Sequence, residues 1–198
     1  MGSEMCIRDR YNMSKNVKLT IYDDVLEGHF AEFLSLQMEA IHWKYDYKSH
    51  KKKINKHWHV FCGHDEEDVK TRGYEFVLPL WQTIMHKYDF KNVYHVENFK
   101  RMYMNAHTHG IEPHEHTDDG DFTMIYYPRL DWQKDWGGGT VVGGELVPYV
   151  GNRLIVFDAK TPHQAMPVSR QCYELRSVVV FKTYVEGANI ERLDFYKD

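Results

Sequence analysis

The segment EPHEHTDDGDFTMIYYP (Glu112–Pro128) joins two histidines and three aspartates directly to an apolar run. The run FTMIYY, Phe122–Tyr127, consists mainly of β-branched and aromatic residues and is typical of a buried β-strand. Ionisable side chains at the start of such a strand indicate one of two things. The segment is either a polar loop rich in His and Asp or half of a metal site.

Downstream and upstream of this segment, the second half of the chain predicts short strands. The runs VYHVENFKRMYMNA, GGELVPYV, RLIVFDA and ELRSVVVFKTYV are β-branched or aromatic and are separated by Gly, Pro, Asn and Asp. The pattern predicts a β-sandwich or a barrel in this half of the chain.

The first half of the chain predicts mainly helices. Asp23 and Asp24 are candidate N-caps for a helix over LEGHFAEFLSLQMEAIHW, and a second helical stretch, Glu66–Tyr88, has a break or kink at Pro79. The first helix has apolar residues at helical spacing, namely Leu26, Phe30, Phe33, Leu34, Met38 and Ile41. Short strands are predicted at 17–22 and 57–63, so the chain as a whole is of the α+β class.

Composition limits the possible classes of protein. A chain of 198 residues is long enough for one domain, and its formal charge of −4 argues against a general nucleic-acid binder. It contains no apolar run near the ~18 residues that a membrane span needs. Cys6, Cys62 and Cys172 form no pairing pattern, which favours a reducing compartment and a cytoplasmic location. Met1–Arg10 resembles the translated end of a transposase sequencing adapter, so we exclude it as an artefact.

His116 and Asp118 are the strongest candidate metal ligands. Residues two apart in an extended chain point to the same face, so this imidazole and this carboxylate lie side by side. The only histidine between Asp118 and the C-terminus is His163. Two imidazoles and one carboxylate form the facial triad suited to non-haem Fe(II), and that triad leaves adjacent coordination positions open. A structural zinc site would instead be closed.

Periodicity alone leaves alternatives open. His114 shares its strand parity with His116, so a cupin-type metal protein using His114-x-His116 is one alternative, and a catalytically silent binding module is another. His107, His109 and His114 could line the mouth of a pocket or support the ligands, but we expect them to be solvated. The lysine-rich stretch 50–58 is expected to be a solvated loop.

The order of motifs resembles that of the 2-oxoglutarate- and Fe(II)-dependent dioxygenases, most closely their prolyl-4-hydroxylase-like branch. HTD is followed by FTMIYYP, DWQKDWGGGT, VPYVGNRLIVFD, PHQAMPV and ELRSVVVFK, and the resemblance covers roughly Phe99–Lys182. It implies a double-stranded β-helix, or jelly roll, with supporting N-terminal helices. The single domain would span residues 11–198, with helices at about 23–90 and the jelly roll at about 93–185.

The resemblance also implies roles for individual residues. His116, Asp118 and His163 would bind iron, and Arg176 would hold the distal carboxylate of 2-oxoglutarate. Arginine suits this role because its planar guanidinium grips a carboxylate with two hydrogen bonds and stays charged when buried. Arg170 is the fallback, although its loop context predicts a solvated side chain.

By the same resemblance, the hydroxyl of Tyr127 would reach the co-substrate carboxylate. Tyr103 and Asn105 share a face on the strand that leads into the site, so one of them is expected to touch the co-substrate. A core role for Tyr127 is a comparable alternative. Gly137–Gly139 is expected to be structural, through positive φ or close backbone approach.

The implied activity is hydroxylation of a substrate C–H bond, coupled to conversion of 2-oxoglutarate and O2 into succinate and CO2. The cofactors would be Fe(II), 2-oxoglutarate as co-substrate and O2, with ascorbate kept as a candidate. The substrate would be a peptidyl proline in a peptide or protein, or a small amino-acid-like molecule. No nucleic-acid or membrane partner is expected, and the sequence does not indicate an oligomeric state. Asp118 favours hydroxylation because related halogenases have a small residue at that position.

Overall fold

The computed structural model of the chain describes residues 19–48 and 56–185. The segment Met1–Arg10 and residues 50–55 of the lysine-rich stretch lie outside the described residues. So do residues 17 and 18 of the first predicted strand.

The described residues form ten strands, and all of the predicted strands are among them. In chain order they are β1 (Thr20–Tyr22), β2 (Lys44–Tyr47), β3 (His57–Gly63), β4 (Val96–His107), β5 (Phe122–Tyr127), β6 (Thr140–Val142), β7 (Glu145–Val147), β8 (Arg153–Asp158), β9 (His163–Ala165) and β10 (Arg176–Val185). The sequence pattern did not separate β2, β6 and β9 from their surroundings.

Two antiparallel sheets face each other. The larger has seven strands in the order β1-β8-β5-β10-β4-β3-β2, and the smaller has the order β7-β6-β9. His116 extends the smaller sheet, because its backbone N–H donates to the carbonyl of His163 at 3.0 Å and its carbonyl accepts from the N–H of His163 at 2.9 Å. This arrangement is a double-stranded β-helix, as predicted.

Within the described ranges, four short α-helices support the larger sheet. They are α1 (Gly28–Ala40), α2 (Glu66–Thr71), α3 (Leu78–Lys87) and α4 (Phe90–Val93), and 3₁₀ turns occur at Glu75–Val77 and Lys134–Trp136. Pro79 lies in the first turn of α3, where its missing N–H costs nothing, so the predicted break is the start of a new helix. No helix within the described ranges is long and apolar enough to cross a membrane.

The prediction for the first helix was wrong at its N-terminus. Glu27, not Asp23 or Asp24, occupies the N-cap position, and its side chain makes no capping hydrogen bond. Phe30 and Phe33 belong to the apolar set at helical spacing, but each is 44% exposed. Ala31, Leu34, Ser35 and Met38 form the buried face instead. The two aromatic residues flank the buried face of the helix, which is one narrow stripe.

Alternation along β10 divides the apolar interior in two. Val179 and Phe181 join a core beneath the helices, whereas Val178 and Val180 join a second core between the two sheets. Arg176 shares the strand parity of Val178 and Val180, and so does Lys182. The inner face of the jelly roll therefore has a cation near each end of the same strand.

Candidate active site

His116, Asp118 and His163 converge at one point between the sheets. Their ligand atoms lie within 4.8 Å of one another. His116 Nε2 is 3.8 Å from Asp118 Oδ1, and His163 Nε2 is 3.1 Å from Asp118 Oδ2. The bridge between His116 and His163 in the smaller sheet brings the two imidazoles together across 47 residues of chain. The three side chains can therefore bind one metal ion.

Hydrogen bonds fix both imidazoles in the orientation that metal binding requires. Nδ1 of His116 donates to the carbonyl of His114, and Nδ1 of His163 donates to the carbonyl of Thr161, each at 2.9 Å. The Nε2 lone pairs therefore face the common point. Burial, followed by repulsion from His163, lowers the pKa of His116 to about 4, and burial lowers the pKa of His163. Both rings are thus kept in the neutral form that binds metal.

Asp118 is held by two further side chains. Thr123 Oγ1 donates to Asp118 Oδ2 at 2.7 Å, and the Nζ of Lys182 contacts the same oxygen. Lys182 Nζ also donates to Thr123 Oγ1 at 3.1 Å. Burial, and then the charge of Arg101, lowers the pKa of Lys182, whereas the adjoining carboxylate favours its charged form. Oδ1 is left to face His116.

Arg176 is a buried cation without a carboxylate partner among the described residues. It is 2% exposed, and its guanidinium donates to the carbonyls of Gly138 and Gly139 and, at 3.1 Å, to Thr140 Oγ1. Burial lowers its pKa from the ordinary value, although arginine remains charged in proteins. A buried charge needs a counter-charge, so these contacts describe a prepared anion site.

Tyr127 and Thr140 complete the surroundings of the guanidinium. Tyr127 OH donates to Thr140 Oγ1 at 2.7 Å, and Tyr127 is stacked on Tyr149 with 4.4 Å between ring centroids. The guanidinium carbon of Arg176 is 5.8 Å from each ring centroid. Thr140 Oγ1 accepts from both Tyr127 and Arg176, so its own proton is available to a third group such as a carboxylate.

The glycine turn before β6 is structural, as predicted. Gly138 has φ +72°, and a Cβ there would lie 3.2 Å from Cδ of Arg176 and 3.0 Å from Trp132. A Cβ on Gly139 would lie 2.5 Å from the carbonyl oxygen of Val147. The turn can therefore press its carbonyls against the guanidinium only because these side chains are absent.

Strand register places the predicted co-substrate contacts on the inner face of β4. Asn105 lies opposite Val178, and Tyr103 lies opposite Val180. Asn105 Oδ1 is 2.7 Å from His59 Nδ1, and the Tyr103 ring centroid is 5.4 Å from that of His59. Whether Tyr103 or Asn105 touches the co-substrate stays a prediction.

His107 contradicts the expectation that it is solvated. It is 7% exposed, lies opposite Arg176 in the strand register, and has no described hydrogen-bond partner for Nδ1. Burial, followed by the charge of Arg176, lowers its pKa well below the ordinary value. His109 is exposed, as expected, and His114 is half-buried. Strand parity with Tyr103 and Asn105 was the signal that could have identified His107.

Two further residues of the site were missed by sequence analysis. Thr140 follows the glycine turn directly, and Lys182 lies six residues after Arg176 with the same strand parity. Arg170 is exposed, which agrees with its predicted solvated position. Ser177 lies on the face opposite Arg176 and pairs with Ala106.

Comparison with known families decides between the classes of metal protein. The sequence profile of the 2OG-Fe(II) oxygenase superfamily matches residues 83–182, half of the chain. The chain belongs to this superfamily. The 2OG-Fe(II) oxygenases use Fe(II), 2-oxoglutarate and O2, and this protein is accordingly a 2-oxoglutarate-dependent dioxygenase. The cupin alternative is wrong, and His114 is not among the described side chains that converge on the metal position.

Several solved structures share the fold. A prolyl-4-hydroxylase from Pseudomonas putida superposes with TM-score 0.58 at 16% identity, covering 88% of this chain and 96% of its own. Prolyl 4-hydroxylases from Phytophthora capsici give TM-score 0.64 at 16% identity, covering 96% and 70%. The α-ketoglutarate-dependent epimerase SnoN of nogalamycin biosynthesis gives 0.61 at 12%, covering 94% and 92%. No curated protein matches the sequence.

The residues present fit the cofactors of a 2OG-Fe(II) oxygenase. Two neutral imidazoles and one carboxylate suit a non-haem Fe(II) ion and leave half of an octahedral shell open. The guanidinium of Arg176, beside hydroxyls of Tyr127 and Thr140, suits the distal carboxylate of 2-oxoglutarate.

Proposed function

We propose that this dioxygenase hydroxylates a C–H bond of a peptidyl proline or a related amino-acid-type substrate and releases succinate and CO2. In this proposal, His116, Asp118 and His163 bind Fe(II), and Arg176 binds the distal carboxylate of 2-oxoglutarate. The observation that carries the proposal is the presence, inside one jelly roll, of a convergent His-Asp-His group and a buried guanidinium without a carboxylate partner in the described structure.

Each residue has a defined task in this proposal. When bound, the iron supplies O2 activation coupled to decarboxylation of 2-oxoglutarate. The carbonyls of His114 and Thr161 hold the Nδ1 protons of His116 and His163, so both Nε2 atoms stay directed at the metal. Thr123 holds one oxygen of Asp118 and thereby limits the rotation of that carboxylate.

The co-substrate end of the site would orient the keto acid. Arg176 provides charge, and Thr140 and Tyr127 provide neighbouring hydroxyl groups. We propose that His107, whose Nδ1 has no described partner, adds a hydrogen bond at the same end. The roles proposed for Tyr103 and Asn105 rest on their place beside this residue on the inner face of β4.

Apolar side chains between the two ends support water exclusion. Val178 and Val180 alternate with the outward-facing residues of β10, and Ile125 and Ile155 lie beside them in the inner core. This dry strip would keep water away from the reacting carbon and position the substrate C–H bond.

The amino-acid-type substrate is proposed from the similarity to prolyl hydroxylases, and no contact in the described structure identifies it. Prolyl hydroxylases are among the similar structures, but the epimerase SnoN has the same fold, and identities of 12–16% show the fold alone. Aromatic pairs such as Tyr45–Trp58 and Trp132–Trp136, with centroids 4.9 Å and 5.2 Å apart, could stack on a peptide or a ring. A cytoplasmic location and the division at about residue 93 remain predictions.

Anaerobic spectroscopy of the purified protein tests the cofactor assignment. Fe(II) and 2-oxoglutarate together should produce a weak metal-to-ligand charge-transfer band in visible light. His163→Ala and Asp118→Ala should abolish the band, whereas His114→Ala should retain it. A band that survives loss of His163 or Asp118 contradicts the proposed ligands.

Turnover tests the reaction. Succinate release should exceed the uncoupled background when a suitable proline peptide or amino acid is added, and mass spectrometry should find one added oxygen atom in that substrate. Succinate formation with an unmodified or epimerised substrate would contradict hydroxylation and leave the dioxygenase class intact.

A further inference from the structure

His57 on β3 has a buried ring nitrogen that no described residue satisfies. The residue is 5% exposed, and its Nε2 has no hydrogen-bond partner in the part of the chain that the structure describes. A buried polar atom without a partner costs free energy, and buried polar groups in folded proteins almost always have one. Packing alone therefore does not explain an imidazole at this position.

His57 belongs to a row of inner-face residues that crosses three neighbouring strands. The pairing of Trp58 with Ala106 places His57 beside His107, and His107 lies opposite Arg176. The rings of His57 and His107 meet edge to face, with 5.1 Å between their centroids. The row thus runs from the proposed site of the 2-oxoglutarate carboxylate, at Arg176, through His107 to His57.

The inner face of β3 lies near the metal position and outside the core between the sheets. That core reaches β4, where Tyr103 packs against its margin, and none of its described members comes from β3. Burial, followed by repulsion from His59, lowers the pKa of His57 to about 4, and His116 makes a smaller contribution. His57 is therefore neutral near pH 7 and lies within electrostatic range of a proposed metal ligand. A substrate can reach it without displacing the core.

Tyr47 forms the outer end of the same row. It lies opposite His57 in the register of β2 and β3, and β2 is the outermost strand of the larger sheet. The Tyr47 ring is stacked on that of His59 at 3.8 Å and meets that of His57 edge to face at 5.3 Å. His57 thus lies between an aromatic side chain at the sheet edge and the co-substrate end of the site.

The chemistry of a neutral imidazole limits the group that His57 can bind. Its unpartnered nitrogen carries either one N–H or one lone pair, and it supplies no charge. A carboxylate or an ammonium group would lose its hydration there and gain no counter-charge from this ring. A secondary amide offers both a donor and an acceptor, so it can satisfy Nε2 in either tautomer.

We propose, on the basis of the function proposed above, that Nε2 of His57 binds an amide group of the substrate beside 2-oxoglutarate. The preferred substrates are then peptides, in which amides flank the oxidised residue. Free amino acids lack these amides and should be poor substrates. His57 is thus a specificity-determining residue, whereas Arg176 and His107 hold the co-substrate.

N-acetylproline methylamide, which carries an amide on each side of the proline residue, serves as the probe. The protein is loaded anaerobically with Fe(II) and 2-oxoglutarate, and the probe should shift the charge-transfer band saturably. His57→Phe should weaken probe binding by about tenfold, the cost of one buried hydrogen bond, and should leave the affinity for 2-oxoglutarate unchanged. His86→Phe, at an exposed position on α3, is the control and should respond as wild type does.

Two polar variants separate the hydrogen bond from packing. His57→Gln places an amide near the position of Nε2 and should retain most of the probe affinity. His57→Asn ends short of that position and should lose it, as His57→Phe does. The band of each variant shows that it is folded and loaded. Equal probe affinity in His57→Gln and His57→Asn would contradict the inference.

The outcomes distinguish this inference from the proposed function. If the wild-type protein forms no band, the proposed function fails and the inference fails with it. If the band forms but the probe does not shift it, or binds wild type and His57→Phe equally well, His57 binds no substrate amide. If His57→Phe loses affinity for 2-oxoglutarate, His57 belongs to the co-substrate site and the inference is wrong.

Turnover provides a second measurement. Free proline and N-acetylproline methylamide are compared by succinate release above background. The wild-type enzyme should turn over the methylamide faster than free proline, and His57→Phe should reduce this preference by raising the KM for the methylamide. Faster turnover of free proline by the wild-type enzyme would overturn the inference.

Discussion

Arg176 on β10 and His107 on β4 are direct partners across an antiparallel strand pair. Both side chains are buried on the inner face, and the charge of Arg176 contributes to the lowered pKa of His107. A neutral imidazole can donate a hydrogen bond to an anion, while the guanidinium beside it supplies the positive charge. This pair therefore defines the co-substrate end of the proposed site.

Replacing His107 tests whether it contacts 2-oxoglutarate. His107→Phe keeps a planar ring and removes both ring nitrogens, so it should weaken 2-oxoglutarate binding by about tenfold, the cost of one buried hydrogen bond. Titration of the anaerobic charge-transfer band measures the affinity. His109→Phe, at an exposed position nearby, is the control. Unchanged affinity in His107→Phe would assign that residue to packing.

Replacing Arg176 should have a larger effect on the same affinity. Arg176→Met removes the buried charge, and 2-oxoglutarate should bind on the order of a hundredfold more weakly because its distal carboxylate loses its partner. Binding of Mn(II) alone, measured by calorimetry, should persist because Arg176 does not touch the triad. Arg170→Met is the matched control at an exposed arginine. Equal losses in both variants would rule out the assigned role.

Gly138 tests how the glycine turn supports Arg176. Gly138→Ala and Gly144→Ala both force an L residue into positive φ, +72° and +87°, so both should lower the free energy of unfolding by about 1 kcal/mol. Only the Cβ at Gly138 meets Arg176, whereas that at Gly144 meets no heavy atom within 4 Å. Gly138→Ala should therefore also weaken 2-oxoglutarate binding. Equal affinity of the two variants for 2-oxoglutarate would count against this contact.

The buried imidazoles of His57 and His59 should make the metal-free protein sensitive to acid. Burial lowers the pKa of each from 6.5 to about 4, so the unfolded chain binds protons more readily between these values. Their contribution to stability is complete above pH 6.5 and is lost as the pH falls towards 4. For each imidazole, the free energy of unfolding lost in this pH range is roughly 3 kcal/mol at most.

Urea unfolding at several pH values measures this loss. The double variant His57→Phe/His59→Phe should lose less stability than wild type between pH 6.5 and 4. His29→Phe, whose side chain is 69% exposed, should follow wild type. Parallel pH dependence in wild type and the double variant would exclude these two imidazoles as the cause.

The fold could be predicted well from the sequence where elements are long and periodic. β4, β5, β8 and β10 were all recognised because each has six or more residues of β-branched or aromatic character. The start of α1 was not, because Asp23 and Asp24 are residue types that favour an N-cap, whereas Glu27 occupies that position. The exposed Phe30 and Phe33 have the spacing of residues on a buried face. Burial depends on which elements pack together, and that information is not present in a local pattern.

The sequence by itself determined the chemistry of the candidate ligands and their order, because HTD, a later histidine and an arginine in an apolar strand are visible as residue types at fixed spacing. Only the tertiary structure brought His163 back to His116, and only strand register set His107 opposite Arg176. The contact between Lys182 and Asp118 likewise arises from distant segments. Hydrogen-bond pairing between strands joins residues far apart in the chain, and no local spacing encodes those partners.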